Sequence, residues 1–331
     1  MSFSGLSILF IGIGFYDYEN AIVERLEQRG SYVDYWADTP SILRKKPWGG
    51  LIFRIPNLAK FLQKRHEDKI LAKITDKKYN KVFFIKGVDI SEDFIFKLKR
   101  KLVDSDFILY EWDSIERNPV LLDRFKYFDY VYSFDRKDSD EYSFIRFRPL
   151  FFRSTEKNED IKYDIVFIGL MHSSRLDIVR VIQKQAENLN LNMYVYMTTS
   201  ILTWVRLFLI GSVQNLHIKS LAYKKVIEIN RASFCVLDLP HPEQTGLTMR
   251  TIESLGADMK IITTNNDIRN YDFFDESMIN IISSHSPEID LSFLSSRGTE
   301  RGFNKHKYKY SLDSWLNDVF NIEGNEKNHL L

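Results

Sequence analysis

The chain has 331 residues, of which 44% are hydrophobic and 27% charged, with 46 Lys plus Arg against 45 Asp plus Glu. That length exceeds what one hydrophobic core usually fills, and the composition excludes disorder, so two globular domains are expected. Balanced charge leaves no global field to draw nucleic acid, so none is expected as a partner. The first apolar run, residues 6–13, ends in glycines and leads into a segment of helical period, 18–29, that stops at Gly30. Short runs rich in β-branched and aromatic residues follow at 32–36, 82–85, 107–110, 130–134 and 144–147. Segments of helical composition at 58–74, 92–102 and 120–128 separate several of them, and this alternation implies a largely parallel sheet with helices on both faces.

Beyond Pro149 the polar stretch 153–160 has the composition of an exposed linker, after which the pattern restarts. Residues 163–169 form a second strand ending in glycine, followed by a helix over 175–189. Further strands are expected at 193–197, 234–239, 260–264 and 279–282, with helices at 202–209, 222–230 and 247–255 and a last one at 312–320 that can pack on either domain. The chain therefore divides into 1–152 and 153–331, two doubly wound α/β domains of Rossmann type. Ligands of such sheets sit at the carboxyl ends of the strands.

The single cysteine, Cys235, lies in an apolar run with no activating base beside it, so it is expected as a buried hydrophobe. One cysteine forms no internal disulfide, and the N-terminus starts as a strand without the pattern of a signal peptide, which points to the cytoplasm. No apolar run reaches the ~20 residues that span a bilayer. The seven histidines have no ligand spacing, and Asp138-Ser139-Asp140 lies in a polar turn of the first domain, so no metal is expected.

The segment from Pro240 to Gly256 carries the most chemistry. A buried strand exits into a polar loop, Thr245-Gly246 stands at a helix start, and Glu253 lies one or two turns further on. Backbone N–H groups at such a start suit a diphosphate, because the orphan donors and the helix dipole both favour negative charge. Gly246 permits close approach, Arg250 adds positive charge, and a carboxylate such as Glu253 can accept both hydroxyls of a ribose. The alternative makes Thr245 a cap and Glu253 a solvated helix residue. In the first domain, Gly12-Ile13-Gly14-Phe15-Tyr16 is a glycine-rich turn without the third glycine of a dinucleotide site. Asp113 sits just past a strand and is a candidate base, or else a turn former before Asn118-Pro119. Lys86 and Asp135 also follow strands. Residues 44–65 combine Arg44, Lys45, Lys46, Trp48, Phe53, Lys60, Lys64 and Arg65, a basic and aromatic patch suited to anionic lipid head groups or simply to solvent.

The Pro240-to-Gly256 segment, followed by Lys260-Ile261-Ile262-Thr263-Thr264-Asn265, resembles the donor-domain signature of GT-B glycosyltransferases. Three stretches resemble bacterial lipopolysaccharide and capsule glycosyltransferase-like proteins more closely: Tyr110 to Ser114, Phe128 to Asp135, and Gln244 to Glu253. The resemblance implies a GT-B fold and transfer of a sugar, hexosyl or deoxyhexosyl, from a nucleotide-sugar donor to a lipid-linked or polysaccharide acceptor, without a metal. It implies donor contacts from His241, Gln244, Thr245, Gly246, Leu247, Arg250 and Glu253. The glutamates of the retaining motif stand closer together than Glu243 and Glu253, which have nine residues between them, so chiefly Glu253 carries over. His172-Ser173-Ser174-Arg175 occupies the place of groups that approach donor phosphates, with Arg175 neutralising the leaving diphosphate. The first domain then supplies acceptor contacts from Gly14, Phe15, Tyr16 and Lys86, with Asp113 as base in an inverting enzyme. Work on a membrane-bound acceptor implies attachment to the inner face of the plasma membrane. A non-catalytic glycan- or nucleotide-binding protein and an epimerase of the same architecture remain as alternatives.

Overall fold

The structure is a computed structural model that describes residues 3–14, 18–44, 52–74, 76–156, 160–172, 174–241, 244–295, 302–303 and 305–321. It divides into two compact units, one made of Met1–Pro149 with the chain from Trp315 onward, the other of Leu150–Ser314. Each unit is built on a parallel sheet of six strands.

In the first unit, strands β1 (Ser7–Gly12), β2 (Tyr32–Ala37), β3 (Lys81–Ile85), β4 (Asp106–Glu111), β5 (Tyr130–Ser133) and β6 (Ile145–Phe147) lie in the order β2-β1-β3-β4-β5-β6. The connections carry α1 (Tyr18–Gln28), α2 (Ser41–Arg44), α3 (Pro56–Lys73), α4 (Glu92–Lys101) and α5 (Arg136–Glu141). The central strands β3 and β4 are almost wholly buried, which is why they read as unbroken apolar runs. Helix α4 shows how sequence sets an element. Ser91 caps it by accepting from the Phe94 N–H at 3.2 Å, Glu92 and Asp93 open its first turn, and Lys99, Arg100 and Lys101 close it. Phe94, Ile95 and Leu98 form its buried stripe. The helix expected over 120–128 is instead a 3-10 helix, Pro119–Tyr127, in which Leu121 and Phe125 are the buried anchors. Bonds from Leu121 N to Asn118 O and from Phe128 N to Phe125 O tighten both of its ends.

In the second unit, β7 (Tyr163–Leu170), β8 (Met193–Thr198), β9 (Leu216–His217), β10 (Ser233–Asp238), β11 (Lys260–Thr263) and β12 (Ile279–Ile281) lie in the order β12-β11-β10-β7-β8-β9. Between them run α6 (Arg175–Asn188), α7 (Ile201–Leu209), α8 (Tyr223–Arg231) and α9 (Met249–Gly256), with α10 (Leu291–Ser295) after β12. The two-residue edge strand β9 has no counterpart in the expected elements, being too short to show a periodicity. Cys235 is fully buried on β10, where desolvation pushes its thiol far up, as expected of a structural cysteine.

The expected boundary put all of 153–331 in the second domain. The last helix, α11 (Leu312–Phe320), corrects this, because its side chains from Trp315 complete the first core. Trp315 is fully buried, edge-on to Tyr110 at 4.8 Å and Phe83 at 6.0 Å, and Phe320 packs on Phe83 and Phe3. Arg148, 3% exposed at its side chain, pairs with Asp318 at 2.8 Å. Trp315→Ala removes a large core side chain and is expected to cost about 3–5 kcal/mol of the first unit's stability, seen as an earlier denaturant midpoint.

Candidate functional site

Both sheets change winding direction at one place, and in open α/β sheets that is where crevices form. In the second unit the change falls between β7 and β10. Beyond their carboxyl ends lies a pocket of about 340 Å³, lined by His172, Ser174 and Arg175 after β7, by Leu239, Pro240, His241, Gln244 and Thr245 after β10, and by Thr264 to Asp267 after β11. The His172 and His241 rings lie against each other in its wall, tilted, with centroids 5.2 Å apart.

Arg175 is the first residue of α6 and is 8% exposed. Its guanidinium donates to Leu170 O at 2.7 Å and to Leu239 O, joining the carbonyl ends of the two strands that part at the switch. Its Nε has no hydrogen-bond partner among the described residues. Burial, and then the neighbouring Arg250, lower its pKa to about 10, so it remains a cation at neutral pH. No side chain caps α6, although Ser174 holds the cap position. A helix start without a side-chain cap and a buried guanidinium thus share one pocket wall, although the N–H groups of Arg175, Asp177 and Ile178 already donate to His172 O and Ser174 O and Asp177 stands in the first turn.

Helix α9 is arranged in the opposite way. It starts at Met249, two residues later than expected, and its cap is Thr248, which accepts from the Thr251 N–H at 3.2 Å. Thr245 is not the cap. Its carbonyl accepts from the Asn265 amide at 2.9 Å, and it lines the pocket with Gln244, whose amide donates to Gly246 O. Gly246 and Leu247 are buried and are absent from the pocket's described walls. The place an anion would take at α9 is filled by the chain's own Asp238. This carboxylate, 1% exposed, accepts from the hydroxyls of Thr248 at 2.8 Å and Thr251 at 2.7 Å and from Arg250 at 2.7 Å. Arg250 also donates to Ile168 O at 2.7 Å and lies over the Phe167 ring. Glu253 pairs with Arg153 at 2.9 Å, and Arg153 stacks on Tyr223 at 4.0 Å. Arg250 and Glu253, expected as donor contacts, are held by protein partners and are not among the residues that line this pocket. Glu243 and Ser173 lie outside the described residues.

In the first unit the switch falls between β1 and β3. Gly14, at φ +71°, has the Arg44 guanidinium where a side chain would go. Phe15 and Tyr16 lie outside the described residues. The Ile13 N–H donates to Glu19, a carboxylate 2% exposed that also accepts from the Tyr35 hydroxyl, so this turn is closed by its own anion. Lys86 stands in left-handed backbone at φ +68°, a conformation costly for a side chain and held here by Lys86 N to Tyr110 O and Gly87 N to Ile85 O. Its ammonium meets Asp113 at 2.6 Å, with Arg117 on the other side of that carboxylate at 3.7 Å. Asp135 is buried and caps α5, and Asp138, lying inward, accepts from Ser133 and Ile115 N, so the Asp138-Ser139-Asp140 sequence is a structural tie. Two carboxyls here escaped the sequence reading. Glu111 is fully buried without a hydrogen-bond partner for either oxygen among the described residues, and burial raises its pKa far above the usual range. Burial, then Asp89 and Glu19, raise Asp38 to about 7. Both sit at strand ends, where sequence cannot tell a carboxyl aimed inward from one aimed at water.

No family model matches the chain, and no curated protein matches it. Solved structures do. The chain is similar to the sucrose-phosphate synthase of Thermosynechococcus elongatus, at 10% identity with a TM-score of 0.59 over 96% of this chain and 98% of that one. It is also similar to the UDP-GlcNAc 2-epimerase of Methanocaldococcus jannaschii, at 11% identity and a TM-score of 0.52 over 96% and 99%. A further UDP-N-acetylglucosamine 2-epimerase matches at 9% identity and a TM-score of 0.50 over 99% of both chains. The fold is that of the GT-B glycosyltransferases, as the sequence implied.

Removing one partner of the Asp238–Arg250 pair strands a buried charge, so Asp238→Ala is expected to cost about 3–5 kcal/mol, and Asp238→Ala combined with Arg250→Ala less than the sum of the two, in a denaturant double-mutant cycle. Asp38 binds its proton more tightly folded than unfolded, so its contribution is favourable below about pH 4 and is lost as pH rises toward about 7. Asp38→Asn is expected to flatten that fall between these pH values and to raise stability at pH 8 by up to about 4 kcal/mol, read from denaturant midpoints across the range.

Proposed function

We propose that this chain transfers a sugar from a nucleotide-activated donor to a bacterial surface glycan, lipopolysaccharide core or capsule, and needs no metal to do so. The observation that carries the reading is the pocket at the second sheet's switch point, where the start of α6, without a side-chain cap, and the buried Arg175 cation meet. There a donor diphosphate sits beside the helix start, and Arg175 offsets the charge that grows on the leaving nucleotide. His172, His241, Gln244, Thr245 and Asn265 line the rest of the pocket and bind the remainder of the donor. Arg250 and Glu253 act through Asp238 and Arg153, as positioning groups.

In this proposal the first unit takes the acceptor beside Gly14 and Lys86, with Asp113 as base and Lys86 holding it in place. In this proposal residues 52–65 meet the inner membrane face, where Phe53, Ile55, Leu58 and Phe61 are exposed among Arg54, Lys60, Lys64 and Arg65; Lys45, Lys46 and Trp48 of the same patch lie outside the described residues. A second reading, epimerisation of the nucleotide sugar, is supported by the full-length similarity to the two epimerases, one of them solved with UDP-GlcNAc and UDP.

Calorimetry with UDP, GDP, dTDP, ADP and CMP, free and as sugar conjugates, tests the donor site. One nucleotide is expected to bind saturably, and His241→Ala to weaken it about tenfold or more. Binding by none of them, or binding indifferent to His241→Ala, refutes this site. Product analysis with and without a lipopolysaccharide acceptor then separates transfer from epimerisation, since only the epimerase alters the sugar when acceptor is absent.

A further inference from the structure

Helix α7 turns its apolar residues outward. Its sequence, Ile201-Leu202-Thr203-Trp204-Val205-Arg206-Leu207-Phe208-Leu209, contains no buried residue. Ser200 caps it, Trp204 and Leu207 rest against the second core, and the Trp204 indole donates to Leu216 O at 3.1 Å. The helix is thus firmly seated on one side. On the other, Leu202 is 80% exposed, Leu209 78% and Ile210 70%, joined by Ile201, Val205 and Phe208. A contiguous apolar face of this kind on an otherwise ordinary surface marks a docking surface.

Charge identifies the occupant. On α7 itself the charged residue is Arg206, exposed among the apolar side chains, and from residue 188 through 227 the chain has no Asp or Glu. A second copy docked by a two-fold axis would set this helix against itself, Arg206 against Arg206, with no carboxylate on the helix to answer. An anionic lipid surface answers both features, taking the aliphatic side chains among its acyl chains and Arg206 among its head groups. No helix among the described residues is long and apolar enough to cross a membrane, so the contact lies in the interface plane.

We propose that α7 is a membrane foothold on the second unit, lying on anionic phospholipid with Leu202, Val205, Phe208 and Leu209 inserted. It deepens the membrane-side reading given above for residues 52–65, and it uses a separate surface.

The test is co-sedimentation of the full chain with vesicles of phosphatidylglycerol and phosphatidylcholine, against phosphatidylcholine alone. Binding to the anionic vesicles is expected, and Leu202→Ser with Leu209→Ser is expected to reduce the partition coefficient about tenfold while leaving the thermal midpoint unchanged, since those side chains are 80% and 78% exposed. Arg206→Glu is expected to diminish the preference for anionic lipid. The proposal fails if the double variant binds vesicles as wild type does while Phe53→Ser with Phe61→Ser abolishes binding, a result that leaves the 52–65 reading intact. It also fails if the wild type ignores vesicles, or if it sediments without lipid as a dimer that the double variant dissociates. Nucleotide calorimetry is independent of all these outcomes.

Discussion

The Asp238 carboxylate holds together the end of the second sheet. It is buried at the last position of β10, and alone it would be untenable there; three groups make it stable by converging on it. Thr248 and Thr251 bring the first turn of α9 to it, and Arg250 reaches from it across to the β7 carbonyl of Ile168. That bridge lets a second guanidinium, Arg175, stand close by. Burial first, and then repulsion from Arg250, lower the pKa of Arg175, and the Asp238 carboxylate opposes that shift and makes the arrangement tolerable. Gly169 is part of the same device, since a Cβ there would lie 2.9 Å from Arg250 and 3.2 Å from the Phe167 ring.

The two units share a winding plan and differ in how their first turns are finished. After β1 the open amide is taken by Glu19, and Arg44 covers Gly14. After β7 no side chain caps the helix, and the nearest charge is positive. The same strand-turn-helix thus ends on a buried carboxylate with a guanidinium beside it in one unit, and on a buried guanidinium in the other. This asymmetry is the physical reason for proposing the second unit as the place of the phosphate-bearing ligand.

Much of this was legible in the sequence, because buried parallel strands announce themselves as short apolar runs and their order fixes the rest. The loop from Pro240 to Thr245 and the turn at His172 were legible as pocket lining for the same reason: polar residues directly after buried strands. Partnership was not legible. Thr245 and Thr248 are equally good caps on paper, and only the position of Asp238 decides between them. Arg250 and Glu253 have the right charges for a donor, yet each finds a protein partner that no spacing rule reveals, Asp238 twelve residues back and Arg153 a hundred. Thr264 to Asp267, a polar run after β11, carries the same strand-end signal.

The return of α11 to the first unit has a consequence for the order of events on the ribosome. The first core needs Trp315 and Phe320, but Leu150–Ser314 must be synthesised before they emerge. At ordinary translation speeds that interval lasts roughly 10–30 s, during which Phe3 and Phe83 lack their final covering. The second unit, continuous in sequence, is free to fold in that time, so the domain made first is the one finished last.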